Sequence, residues 1–84
     1  MKFVKTKIKG AYLIELEKKE DNRGFLARTW DVDGFRENGI DFNILQGYIT
    51  NSIDKGTMRG FHYLTVPEKK LTRVTRGSVC EVII

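Results

Sequence analysis

At 84 residues the chain has room for one domain, and a chain of this size buries only about 60 to 65% of the surface its unfolded form exposes, which disfavours a large enclosed pocket. With 40% hydrophobic residues, 31% charged residues and a single proline, the composition is that of a folding protein and not of a disordered segment. The net charge of +4 comes from 15 Lys and Arg scattered along the chain, which argues against a dedicated nucleic-acid tail and suits a phosphate-bearing small molecule.

Residues 1–9, MKFVKTKIK, carry lysine at every second or third position and no apolar run long enough for a signal peptide or a membrane span. A cytoplasmic location away from membranes is therefore expected. Tyr12, Ile14 and Leu16 alternate with Leu13, Glu15 and Glu17, a period of two that predicts a strand with one buried face. Residues 18–24, KKEDNRG, read as a turn, and the aromatic-rich residues 25–30 as a second strand. Asp31 offers a side-chain acceptor to free N–H groups, and Gly39 suits a left-handed closing position, so a short helix is expected between them, through Asn38.

Residues 42–52 resume an apolar, β-prone run, and Asp54-Lys55-Gly56 is a turn signal before residues 57–64. Pro67 interrupts the chain ahead of residues 71–75, Arg76-Gly77 turns it, and residues 78–84 are strongly strand-like. Short strands joined by polar turns at this spacing predict an all-β sandwich or barrel with one short helix. Cys80 has no partner within the chain and is expected as a small buried hydrophobe. The chain stops inside the apolar run Val82-Ile83-Ile84 with no turn or polar cap, so residues 1–84 read as a single domain cut in mid-fold.

The densest chemical signal is Arg59-Gly60-Phe61-His62-Tyr63, followed by Lys70-Leu71-Thr72-Arg73-Val74. On a strand, Arg59 and His62 fall on opposite faces unless a bulge at Gly60 re-aims one of them. His62 is the chain's one histidine, and its unperturbed pKa near neutrality suits a general base; a core histidine satisfied by hydrogen bonds is the competing reading. A metal site is not expected. The position two residues after His62 is Leu64, and His62 with Glu68 falls short of the three ligands a stable site needs.

Taken in order, Asp21-Asn22-Arg23-Gly24-Phe25, Gly39-Ile40-Asp41, Gln46, the run of residues 55–63 (KGTMRGFHY), Lys70-Leu71-Thr72-Arg73-Val74 and Arg76-Gly77 resemble the dTDP-4-dehydrorhamnose 3,5-epimerase family over nearly the whole chain. Each block is weak alone; the ordered set is specific. The resemblance implies the N-terminal half of a cupin-type jelly roll acting as a homodimer, without organic cofactor or metal. Its substrate would be a nucleoside-diphosphate sugar with a ketone at C4. Protons at C3 and C5 lie alpha to that ketone, so a base can remove each and leave an enolate with its charge on the C4 oxygen.

By this resemblance His62 is the base and Lys70 stabilises the enolate oxygen. Arg23 contacts diphosphate, Arg59 contacts diphosphate or sugar, and Gln46 meets the nucleotide base. Three positions depart from the family's pattern: Arg28 where it has Glu, Tyr48 where it favours Asn, and Leu64 where it favours Gln. The family's tyrosine acid and the aspartate paired with its histidine belong to the second half of its fold, and Tyr63, next to His62, points to the other side of a strand. The competing expectations are a cupin fragment that binds sugar nucleotide without catalysis and a small basic β-module for nucleic acid.

Overall fold

A computed structural model of the chain describes residues 1–84. Its regular structure is mostly strand, with one short helix, and no helix is long and apolar enough to cross a membrane. Strands β1 (Lys2–Lys5) and β2 (Tyr12–Glu15) pair antiparallel, with Lys2 opposite Glu15, Phe3 opposite Ile14, Val4 opposite Leu13 and Lys5 opposite Tyr12. The expected period of two holds in β2: Tyr12 and Ile14 are half-buried while Leu13 and Glu15 are exposed. β1 lies in the lysine-punctuated segment that was expected only to lack a signal or span. Phe3 and Val4 supply its apolar middle, and Lys2 and Lys5 keep its ends in water.

The segment read as a turn, residues 18–24, instead holds part of a second hairpin. β3 (Lys19–Asp21) pairs with β4 (Gly24–Leu26), with Asn22 and Arg23 between them. Polarity concealed it, because every residue of both strands is exposed and no buried face imposes an alternation. The expected strand over residues 25–30 correspondingly ends at Leu26.

Helix α1 (Val32–Glu37) forms where the sequence places it. Asp31 is the N-cap and accepts the Asp33 N–H. Gly39 takes φ +76°, and its N–H closes onto the Arg36 carbonyl at 2.9 Å. The helix is too short to stand on propensity and is held by its one buried residue. Phe35, 2% exposed, meets Phe3 edge-on at 5.1 Å, Phe42 at 5.8 Å and Trp30 at 6.4 Å; Phe3 in turn meets Tyr12 at 6.4 Å. This aromatic cluster is the core of the first of two compact units, Met1–Tyr48. Trp30 buries its indole N–H there without a protein acceptor, an arrangement that typically costs about 1–3 kcal/mol.

The second unit, Ile49–Ile84, contains turns and bends but no helix or paired strand. The Asp54-Lys55-Gly56 turn forms as expected: the Asp54 carbonyl accepts from the Thr57 hydroxyl at 2.8 Å, and Gly56 adopts φ +85°. The strands expected over residues 42–52, 57–64, 71–75 and 78–84 are not laddered. β propensity measures fitness for a pleated, half-buried surface, and a ladder also needs a partner's N–H and C=O groups. These segments find no such partner, and Ile49, Ile53, Tyr63, Val79 and Ile84 stand exposed. Cys80 corrects an expectation: it is exposed and not a core residue, in a stretch where Val79 and Val82 are themselves mostly open to solvent.

Candidate functional site

The β3–β4 turn presents Arg23. The turn is built by Asp21, whose Oδ1 accepts the Arg23 backbone N–H at 2.8 Å, an Asx-type closure favoured by a short carboxylate side chain. The same carboxylate takes the guanidinium: Nη2 donates to Oδ2 at 2.6 Å, and Nε donates to Oδ2 at 3.2 Å and Oδ1 at 3.3 Å. The guanidinium hydrogen bond, reinforced by the backbone N–H, holds the Asp21 carboxyl below its ordinary pKa, and the carboxylate in turn raises that of Arg23. Arg23 remains 86% exposed.

Gln46 lies near the end of the same unit, exposed, with its Oε1 accepting the Tyr48 hydroxyl at 2.8 Å. Arg28 pairs with Asp31 at 3.3 Å, which sets a cation beside the helix N-cap carboxylate. In α1 itself the basic residue, Arg36, sits in the last turn, where it meets the helix's negative end.

In the second unit, Arg59 turns back along its own chain: Nε donates to Ser52 Oγ and Nη2 to the Asn51 carbonyl, both at 3.1 Å. Those bonds close residues 51–59 into a loop around the Asp54–Thr57 turn. Gly60 follows at φ +121°, a conformation L side chains rarely adopt, and the His62 imidazole lies against it, with Nδ1 3.6 Å from where a Cβ would stand. Residues 57–64 form no strand, so the question of a bulge at Gly60 does not arise, and no hydrogen bond joins Arg59 and His62. His62 is exposed and is not a satisfied core histidine. Lys70 pairs with Glu68 at 3.6 Å.

Each residue marked in the sequence is thus tied to a near neighbour in the chain, or in the case of His62 packed beside one, and none is bonded to another of the set. Partners that sequence reasoning passed over are Asp21 for Arg23, Glu68 for Lys70, and Asn51 with Ser52 for Arg59. The Asp-x-Arg spacing across a tight turn was the available signal for the first. No group of three or more His, Cys, Asp or Glu is placed to hold a metal ion. A cavity of about 220 Å³ lies elsewhere, at the β1–β2 connection between Lys5 and Tyr12, and contains none of the marked residues.

These features define a protein whose regular structure is mostly strand and in which Arg23, Arg59, Lys70 and the single histidine sit exposed on turns and irregular segments. Residues 5–84 match the family described as dTDP-4-dehydrorhamnose 3,5-epimerase. The chain belongs to that family. It is 36% identical over 84 residues to a dTDP-4-dehydrorhamnose 3,5-epimerase of Methanothermobacter thermautotrophicus, covering 99% of this chain and 45% of the relative. A protein of the same name from Sinorhizobium fredii is 33% identical, with 100% of this chain and 44% of that protein covered. A dTDP-4-dehydrorhamnose 3-epimerase of Streptomyces niveus is 32% identical, with 92% and 38% covered. The chain therefore spans somewhat less than half the length of these relatives. No solved structure matches the chain significantly.

Proposed function

We propose that residues 1–84 form one epimerase-like domain, the N-terminal half of a cupin-type jelly roll. In this reading it supplies the proton-abstracting side of a site that epimerises a nucleoside-diphosphate 4-keto-6-deoxy sugar. The observation that carries the reading is the family match over residues 5–84, which spans the ordered blocks from Asp21-Asn22-Arg23-Gly24 to Arg76-Gly77. The chemistry fits those residues. His62 removes the proton alpha to the C4 ketone, Lys70 stabilises the enolate oxygen, and Arg23 and Arg59 engage the diphosphate or sugar while Gln46 meets the base. The carbon common to the names of all three relatives is C3, so we assign C3 to His62 first; inversion at C5 is what separates the two named reactions.

The site as proposed uses no metal or organic cofactor, since the C4 ketone itself delocalises the carbanion. The protein works as a cytoplasmic homodimer on a soluble small molecule.

The deciding experiment is solvent-deuterium exchange into the C3 position of a thymidine-diphosphate 4-keto-6-deoxy sugar, followed by NMR with the intact protein and its His62→Asn variant. Exchange is expected to vanish in the variant while sugar-nucleotide binding persists. Exchange near the wild-type rate in a folded His62→Asn protein would remove His62 from the role of base. Binding without exchange in the wild-type protein would leave a sugar-nucleotide-binding module instead.

A further inference from the structure

The β3–β4 turn carries one arrangement that the proposed roles do not account for. A guanidinium has five N–H donors set in a planar fork. Asp21 takes the Nε and one Nη2 donor along a single edge of Arg23, at 3.2 and 2.6 Å. Both Nη1 donors and the second Nη2 donor make no bond, and the side chain is 86% exposed. An arginine held side-on by a carboxylate keeps a second fork, Nη1 with Nη2, whose geometry matches two oxygens of a phosphate.

We infer that Asp21 is a positioning residue: it fixes the Arg23 side chain so that the free Nη1/Nη2 fork stands ready as a bidentate receptor for a nucleoside diphosphate. The inference rests on the proposed diphosphate role of Arg23 and adds to it a residue with the opposite charge to the one a phosphate site is expected to favour. Two effects compete. The Asp21 carboxylate repels the incoming diphosphate, but on an exposed turn that repulsion is weakened by water and by salt at physiological ionic strength. Holding a long, rotamer-rich side chain in its binding geometry removes an ordering cost that salt does not screen. Preorganisation therefore outweighs repulsion. The carboxyl is also held below its ordinary pKa by the Arg23 hydrogen bonds, so it remains ionised and in place through neutral and mildly acidic pH.

Calorimetric titration of the intact protein with thymidine diphosphate at physiological ionic strength tests this, using Asp21→Asn, Arg23→Ala and the double variant. Asparagine keeps an oxygen for the Arg23 backbone N–H, so the turn survives while the charge and the second acceptor are lost. Arg23→Ala is expected to weaken binding. Asp21→Asn is expected to weaken it by about threefold or more, the order of one freed rotamer-rich side chain, although a negative charge has been removed. In the Arg23→Ala background Asp21→Asn should no longer weaken binding. If Asp21→Asn binds as tightly as wild type or tighter while Arg23→Ala binds worse, the positioning role is overturned and the diphosphate role of Arg23 stands. If Asp21→Asn weakens binding equally in both backgrounds, Asp21 acts through the turn alone and the inference also fails. Unchanged affinity in Arg23→Ala overturns the diphosphate role and the inference with it.

Discussion

Two residues proposed for the site, Lys70 and Arg59, are bonded to partners within their own segment of the chain. A single histidine within Arg-Gly-Phe-His-Tyr stands out in any sequence, whereas the pairings of Lys70 with Glu68 and Arg59 with Asn51 and Ser52 depend on how an irregular segment folds back. Those pairings bear on the proposed reaction. Lys70 is paired with Glu68 at 3.6 Å and, in the proposed reaction, exchanges that partner for the developing enolate oxygen. Lys70→Met is expected to slow deuterium exchange at C3 by roughly 10² to 10³-fold, the usual loss for one such donor, with little change in diphosphate affinity. A rate within twofold of wild type would make Lys70 a bystander. Asp21 contributes a pH dependence with a definite sign. Its folded-state pKa is depressed, so the interaction is fully present above the ordinary carboxylate value and is lost as pH falls through the depressed one.

Among the elements, local signals succeeded where they are self-contained. The cap-and-glycine bracket of α1 and the period of two in β2 are written into a few adjacent residues, and both formed as expected. The β3–β4 hairpin was missed because all its residues are polar or exposed, and the later strands stayed unpaired because pairing is a property of two segments and not of one. Two substitutions measure what holds α1. Phe35→Ala removes the only buried side chain from the aromatic cluster, and a buried Phe→Ala change typically costs about 3–5 kcal/mol. It is expected to abolish the near-UV circular dichroism of Trp30 and the thermal transition of the first unit. Asp31→Ala, which removes the N-cap acceptor, is expected to cost about 1 kcal/mol and lower the midpoint while leaving the transition cooperative. Comparable losses from the two changes would mean that capping, and not the Phe35 cluster, holds the helix.

Across the whole molecule, only Phe35 is buried, while apolar residues from Ile44 to Ile84 are largely open to solvent. Exposed apolar side chains in that number favour association, and unpaired strand-forming segments add backbone groups that a second chain can satisfy. The 84-residue chain in isolation is therefore expected to self-associate, with sedimentation velocity showing species heavier than the monomer at micromolar concentration. Catalysis is a separate question, governed by stereochemistry. Inversion at a carbon alpha to the ketone needs a proton taken from one face of the ring and another delivered to the opposite face. His62 provides the first step and Lys70 the enolate support in the proposed mechanism, and Tyr63, adjacent to His62 in the chain, is not assigned as the second acid. A second copy brings the same residue types again and so supplies no new acid. The expected result for this chain, incubated in D₂O with a thymidine-diphosphate 4-keto-6-deoxy sugar and followed by NMR, is weak binding with some deuterium wash-in at C3 and no inverted sugar. Accumulation of the epimer at an enzyme-like rate would mean that residues 1–84 contain the second acid after all, with Tyr63 the first residue to substitute in search of it.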